Sequence, residues 1–282
     1  MGATQTIIIA DEWRHALGGA GLNSVEAVYA ARGEVVTRSG TTEVMRTVVN
    51  GNSGERVLFI KKYWVRGFQD LRRTFLRGAF LGRSKVKREF ENLRFLRAAG
   101  VDAPSPVAYG EERRLRALVR SFLITEGVRQ PKTLTEFIRD HLPGLDERAR
   151  RATRRTLVDN LADYTRLLHA RRFVHHDYFW RNILLSGNSL ERFWLIDTPK
   201  GRRWRWRQWR NRAKDLGTLD AAAPLFFRRT ERLRFFLRYA GASKLTPGHK
   251  RILRRALAVA EPLRESQWRR VGPEKVHGQT VD

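Results

Sequence analysis

Short apolar and β-branched runs broken by turn-forming clusters mark the chain near its N-terminus. Residues 34–38, 42–49 and 56–63 are rich in β-branched and aromatic side chains, separated by Ser39-Gly40-Thr41 and by Asn50-Gly51-Asn52-Ser53-Gly54. Such runs between turn clusters predict a three-strand antiparallel meander. The pattern changes at residue 84. Val86, Phe90, Leu93 and Leu96 recur at helical spacing, Ser84 can cap the start and Gly100 follows the end, which predicts a helix over 84–99. Residues 101–106 read as a rigid extended connector through Pro104 and Pro106, and residues 115–124 as one or two further strands. Beyond Gly127 the helical period dominates. A short helix is expected over 134–139 and a long one over 146–170, with Leu157, Leu161, Tyr164, Leu167 and Leu168 on one face. Residues 183–185 and 193–196 read as two short strands around Ser186-Gly187-Asn188. The chain is then basic and helical to about Arg264, and a frayed tail is expected from Ser266. This order predicts an α+β, bilobal protein: a β-rich N-lobe over 1–127 with one main helix, and a mainly helical C-lobe over 128–282 that carries the hairpin.

Composition narrows the classes. The chain has 282 residues, 41% hydrophobic and 10% aromatic, which is enough for a real core and excludes a disordered polycation. Lys and Arg total 56 against 29 Asp and Glu, a formal net charge of +27. That excess attracts polyanions: nucleic acid, anionic lipid or lipopolysaccharide, or phosphorylated small molecules. Cysteine is absent, which excludes disulfide scaffolds, thiolate zinc sites and cysteine nucleophiles. No apolar run approaches the ~18–20 residues of a membrane span. The short apolar run at residues 7–10 does not make a secretory signal, so the expectation is a cytosolic protein that visits an anionic surface.

Candidate chemistry concentrates at His175-His176-Asp177-Tyr178-Phe179-Trp180-Arg181-Asn182. Asp177 falls on a loop, where its carboxylate can meet a substrate hydroxyl. Asn182 enters the first strand of the hairpin and Asp197 leaves the second, so the hairpin would bring them side by side. An amide oxygen and a carboxylate are hard ligands suited to Mg²⁺, and the set supplies a base and a metal clamp for phosphoryl transfer. Asp and Asn in loops also serve as plain turn formers or caps.

Three further features suit the same chemistry. Lys61 lies in the apolar strand Val57-Leu58-Phe59-Ile60-Lys61-Lys62 and can reach the phosphates of ATP; the plainer reading is a lysine that snorkels to water. Glu89 on the following helix can hold Lys61 through an ion pair, with Glu91 as its competitor. The strand end Leu123-Ile124-Thr125-Glu126-Gly127-Val128 can offer backbone groups of Glu126 and Val128 to an adenine edge, or be an ordinary strand end.

The order strand-Lys61, helix-Glu89, hinge, helix, His175-x-Asp177-x4-Asn182, hairpin, Asp197 resembles the protein-kinase-like fold. The stretches FIKKYW, KREFENLRFLRAAGVDAPSPVAYGEE, FVHHDYFWRNILL, FWLIDTPKG and RAKDL resemble more narrowly the lipopolysaccharide kinase family, which phosphorylates Kdo or heptose of the inner core. By that resemblance Lys61 contacts the ATP phosphates, Glu89 pairs with it, Asp177 is the catalytic base, Asn182 and Asp197 bind Mg²⁺, and His175 braces the loop. It also implies lipopolysaccharide core as acceptor and a cytoplasmic place at the inner face of the inner membrane. Several positions depart from the kinase pattern. His176 stands where Arg is usual, which argues against control by activation-loop phosphorylation. Phe179 stands where a lysine is common, so Arg181 is a candidate for that charge. Thr198-Pro199 replaces Phe-Gly, no A-P-E follows, and the phosphate turn carries Gly40 alone. Two other readings stay open: a phosphotransferase of the aminoglycoside or choline kinase type, and a catalytically weak kinase-like protein on an anionic surface.

Two basic, aromatic stretches bear on partners. Residues 201–214 carry seven basic residues with Trp204, Trp206 and Trp209. Residues 64–88 set Arg66, Arg72, Arg73 and Arg77 among Phe68, Leu71, Phe75 and Phe80. Arginine with tryptophan suits phosphates, sugar faces or an anionic membrane surface. Solvated helix faces in an arginine-rich chain are the bland alternative. No nucleic-acid module is recognisable, so nucleic acid is not the expected partner.

Overall fold

The structure is a computed structural model, and it describes residues 3–51, 54–65, 83–204, 206 and 208–271. Two compact units are present: Met1–Arg129 with Asp197–Lys200, and Gln130–Ile196 with Gly201–Asp282.

The first unit is built on a six-stranded antiparallel sheet. Its order is β1 (Thr4–Ile9), β5 (Pro106–Arg114), β6 (Ala117–Glu126), β4 (Gly54–Trp64), β3 (Thr42–Gly51) and β2 (Glu34–Ser39). The expected meander is its β2–β3–β4 edge, and the sheet extends well past it. β5 occupies ground read as connector and loop: it is buried continuously from Pro106 to Glu112, so it lacks the alternation that marks a strand with one wet face. Leu115 and Arg116, expected within a strand, form the turn between β5 and β6. Their φ values of 48° and 67° are those of a type I′ hairpin.

Each sheet face is covered by helices. Helices α1 (Arg14–Gly19) and α2 (Val25–Ala30) bring Leu17, Val25 and Val28 against Leu58, Ile60, Phe122 and Ile124. Lys62 shares this side of β4. Its ammonium reaches the carbonyls of Tyr29 and Ala31 at the end of α2 and pairs with Glu43 at 3.5 Å. A cation at a helix C-terminus is electrostatically favoured. The two-residue period of the strand then turns Lys61 to the opposite face. There lies α3 (Lys85–Ala98), close to the expected helix, with Ser84 accepting from the Lys87 N–H as its cap. Its buried stripe is Val86, Glu89, Phe90, Leu93 and Leu96, and Phe90 packs on Tyr109 of β5 at 5.0 Å.

The second unit is mainly helical. Helix α4 (Glu147–Ala170) lies beside α6 (Arg229–Ala240), clipped by Arg154–Glu231, Arg234–Asp159 and Arg238–Asp163. Ala162, Ala213, Leu216, Phe236, Tyr239 and Ala256 join α4, α5 (Gln208–Asp220), α6 and α7 (Pro247–Ala260) in one core. Gly217 permits the close approach of α5 to α7, since a Cβ there would meet the Ala256 carbonyl oxygen at 2.5 Å. The expected fraying does not begin at Ser266: α8 (Arg264–Val271) runs through it and buries Gln267 and Val271. The expected hairpin is β9 (Ile183–Ser186) with β10 (Trp194–Leu195), joined by the unforeseen β7 (Pro131–Thr133). The short helix after β7 is a single turn, Leu134–Glu136, that runs into a π-helical turn, Phe137–His141. A further pair, β8 (Phe173–Val174) and β11 (Arg202–Arg203), brackets the segment carrying the candidate chemistry.

Candidate active site

The loop between β8 and β9 is fixed mainly through its backbone. The Asp215 carboxylate, fully buried on α5, accepts the His175 N–H at 2.7 Å and the His176 N–H at 2.8 Å. Burial alone would raise the Asp215 carboxyl, but the His169 side chain, His175 and the backbone N–H hold it below the usual carboxylate range. An ionised carboxylate only accepts, so His169 gives its Nε2–H to Asp215 (3.3 Å) and takes the Tyr239 hydroxyl on Nδ1 (2.8 Å). His175 has a defined tautomer by the same logic. Its Nδ1 accepts the Asp177 N–H at 3.2 Å, so its Nε2 donates to the Ile196 carbonyl at 2.9 Å. Further along, Tyr178 is fully buried against Thr165 (3.0 Å), and the Trp180 indole donates to the Leu219 carbonyl at 2.9 Å.

Asp177 and Asn182 are thereby brought together. The Asn182 side-chain NH₂ donates to the Asp177 carbonyl at 2.8 Å, which leaves the Asn182 Oδ1 as a lone-pair donor. Arg181 places a guanidinium 3.8 Å from the Asp177 carboxylate and stacks on Phe179 at 4.3 Å. The β9–β10 ladder continues one residue further, with the Ile196 N–H on the Asn182 carbonyl at 3.0 Å, and Asp197 follows in the chain.

In the first unit Lys61, Glu89 and Asp197 form a charge cluster. The Lys61 ammonium lies 2.9 Å from Asp197 and 3.9 Å from Glu89. Burial alone would lower the Lys61 pKa, but Glu89, Tyr63 and Asp197 outweigh it and hold the ammonium above the usual lysine range. Glu91, the competing carboxylate, instead pairs with Arg83 at 3.0 Å. Asp197 adopts a left-handed backbone, φ 55°, which Asp tolerates better than most residues. Asn92 of α3 holds the next carbonyl, that of Thr198, at 2.7 Å.

The remaining candidates are less committed. The Glu126 side chain pairs with Arg56, and its N–H donates to the Ser105 carbonyl at 2.8 Å. The Gly127 N–H donates to Val57 at 2.8 Å, so both amides are already satisfied. Gly40 lies in the exposed β2–β3 turn, and a Cβ there would meet nothing within 4 Å. Trp204 and Trp206 part company: Trp204 is half-buried, while Trp206 is 81% exposed. The basic stretch with Arg66, Arg72, Arg73, Arg77, Phe68, Leu71, Phe75 and Phe80 lies outside the described residues.

The donor chemistry suits magnesium. Among the described residues no three His, Asp or Glu gather as a ready-made cation cage. Mg²⁺ in phosphoryl transfer takes one or two protein oxygens with substrate phosphates and water, and an amide oxygen with a carboxylate is such a set.

Comparison with known proteins decides the family. The lipopolysaccharide kinase (Kdo/WaaP) family model matches residues 26–235. The chain belongs to the lipopolysaccharide kinase (Kdo/WaaP) family. The lipopolysaccharide core heptose(I) kinase WaaP of Pseudomonas aeruginosa is 29% identical over 234 residues, which cover 78% of this chain and 81% of that protein. A solved structure of WaaP in complex with acyl carrier protein matches with 25% identity and a TM-score of 0.64, over 93% of this chain and 99% of that one. The α+β, protein-kinase-like fold and the kinase class expected from the sequence are therefore correct. This kinase is an ATP-dependent phosphotransferase of lipopolysaccharide core biosynthesis, with a sugar hydroxyl as acceptor.

Sequence reasoning missed the residue that organises the site. Asp215 was visible only as part of RAKDL, and its partners are backbone amides some 40 residues away. The one local signal was an acidic residue on the apolar face of a helix, next to Leu216.

Proposed function

We propose that this kinase transfers the γ-phosphoryl group of ATP to a heptose hydroxyl of the lipopolysaccharide inner core, with Asp177 as the base. The loop of residues 175–182 carries this reading, because its anchors fix the Asp177 backbone and so set the point from which its carboxylate meets a hydroxyl. Asp177 orients the acceptor hydroxyl and takes its proton as the new oxygen–phosphorus bond forms and the bond to ADP breaks. Lys61, kept cationic by Glu89, steadies the ATP phosphates. Arg181 supplies positive charge beside the transferring group in place of the usual lysine. The Glu126 carbonyl and the Val128 N–H are offered to the adenine edge, and the turn at Gly40 lies over the phosphates. Asn182 and Asp197 are the magnesium ligands; the ion, when bound, neutralises phosphate charge.

The division at residue 127 is proposed as the lobe hinge. The proposed workplace is the cytoplasmic face of the inner membrane. Trp206 and the half-exposed Trp209, with exposed Arg202 and Arg203, suit peripheral contact with anionic lipid. No helix among the described residues is long and apolar enough to cross a membrane. The solved WaaP relative was captured with acyl carrier protein, and we carry that partner over to this chain. The test is transfer of labelled γ-phosphate from Mg·ATP to dephosphorylated lipopolysaccharide cores that carry or lack heptose. Label confined to heptose-bearing core is expected. Label on both cores would move the acceptor to Kdo, and label on neither would overturn the reading.

A further inference from the structure

His176 is a bulky residue held in the left-handed region, φ 63°, immediately before Asp177. Such a conformation persists only where its surroundings impose it. Its N–H is fixed by Asp215 at 2.8 Å, and its ring is fixed separately by Trp204. The Trp204 indole N–H donates to the His176 Nε2 at 3.1 Å, with the two rings edge to face at 6.1 Å. Indole N–H is a donor without an acceptor function, so this Nε2 carries a lone pair and the ring proton sits on Nδ1. That Nδ1 is buried and has no hydrogen-bond partner among the described residues. The bond therefore requires a neutral imidazole. Trp204 is itself anchored. Its backbone N–H donates to the Arg172 carbonyl at 3.0 Å, and β11 just before it pairs Arg202 with Val174 and Arg203 with Phe173.

We propose that Trp204 is a positioning residue that clamps the catalytic loop through neutral His176, so that the segment after Asp197 is locked without phosphorylation. In regulated protein kinases an activation segment is ordered when its phosphate pairs with arginine. Here a donor on that segment meets an acceptor on the loop, and no charge is needed on either. The inference rests on Asp177 being the catalytic base, since the clamp acts on the residue beside it.

The clamp has an acid limit. A protonated His176 would set its own Nε2–H against the Trp204 N–H, and the bond would be lost. Burial holds the His176 pKa below the ordinary histidine range, helped by Lys214, Arg202 and His175, while Asp215 opposes them. The clamp is therefore closed at neutral pH and opens below the usual histidine pKa.

The test measures kcat and KM for ATP against pH in the full-length enzyme, for wild type, Trp204→Phe, His176→Gln and Asp177→Asn. Trp204→Phe keeps an aromatic ring, though a smaller one, and removes the donor; it should lower kcat about tenfold with KM for ATP unchanged. His176→Gln keeps an acceptor that does not titrate, so the ratio of its kcat at acid pH to its kcat at neutral pH should exceed that of wild type, with the acid limb moved to lower pH. Wild-type kcat and pH profile in Trp204→Phe would overturn the clamp, as would an unshifted acid limb in His176→Gln. If Trp204→Phe fails to fold, the acid limb of His176→Gln decides alone. Normal turnover in Asp177→Asn would instead overturn the base assignment, so the two failures are distinguishable.

Discussion

The loop of residues 175–182 and the turn of residues 39–42 are fixed very differently. The loop is held by buried Asp215 on two amides, by His175 on Ile196, by Tyr178 on Thr165 and by Trp180 on Leu219. The turn belongs to a hairpin whose first strand, β2, is exposed throughout; beside it Ser39 reaches Thr42 at 3.5 Å and Arg38 pairs with Glu43. The difference teaches where precision is demanded. Proton transfer needs a carboxylate set to within a fraction of an ångström, whereas a phosphate tail can be gripped by backbone that settles around it. Substitutions that loosen the loop should therefore act far more strongly than substitutions in the turn.

The strongest challenge to the contrast is Asp215→Asn. An amide cannot accept from two backbone N–H groups and His169 together, so one donor is left buried without a partner. Chemical denaturation should show a loss of about 3–5 kcal/mol, and kcat should fall with it. The pH dependence has a definite sign. The Asp215 carboxyl is held below its ordinary range when folded, so its contribution is full above the unfolded value near pH 4 and is lost as pH falls below that. Wild type should lose stability more steeply than Asp215→Asn as pH falls below about 4.

Lys61→Met separates burial from location. Lys61 shares a unit with the loosely held turn, yet its ammonium is tied to Asp197 and Glu89. Removing it should cost about 10²–10³-fold in kcat. It also removes the cation that opposes burial at Glu89, whose carboxyl burial already pushes up, so Glu89 should take a proton. Steady-state kinetics read the first effect. The pH dependence of unfolding reads the second, which Lys61→Met with Glu89→Gln should abolish.

Gly40→Ala should have the smallest effect. A Cβ there meets nothing within 4 Å and the backbone is not left-handed. KM for ATP should stay within about twofold of wild type, since surface changes away from special geometry are near neutral. A tenfold rise would mean that the turn packs on the nucleotide as closely as a glycine-rich loop does, and the contrast would weaken.

The sequence made the locally patterned parts legible. Strands β3 and β4 are apolar, β-branched runs bounded by turn clusters, helices α3 and α4 carry a helical period, and Ser84 is the cap it was expected to be. Lys61, Glu89 and Asp197 could be nominated because each stands at the end or on the face of such an element, and the structure brings them together. What escaped was non-local. β1 pairs with β5 across a hundred residues, and β5 is buried without alternation. Asp215 acts on amides far away in sequence, and Trp204 was one arginine-flanked tryptophan among three until its indole was seen on His176. Spacing along the chain carries no trace of such contacts, because residue identity alone does not reveal which backbone donors lack a partner.

The most direct measurement is single-turnover transfer of labelled γ-phosphate from Mg·ATP to dephosphorylated lipopolysaccharide core by wild type and Asp177→Asn, with the Mg·ATP-induced rise in melting temperature measured in parallel. The account predicts that Asp177→Asn loses about 10²–10⁴-fold in transfer and keeps the thermal shift. Transfer by Asp177→Asn at the wild-type rate would contradict it.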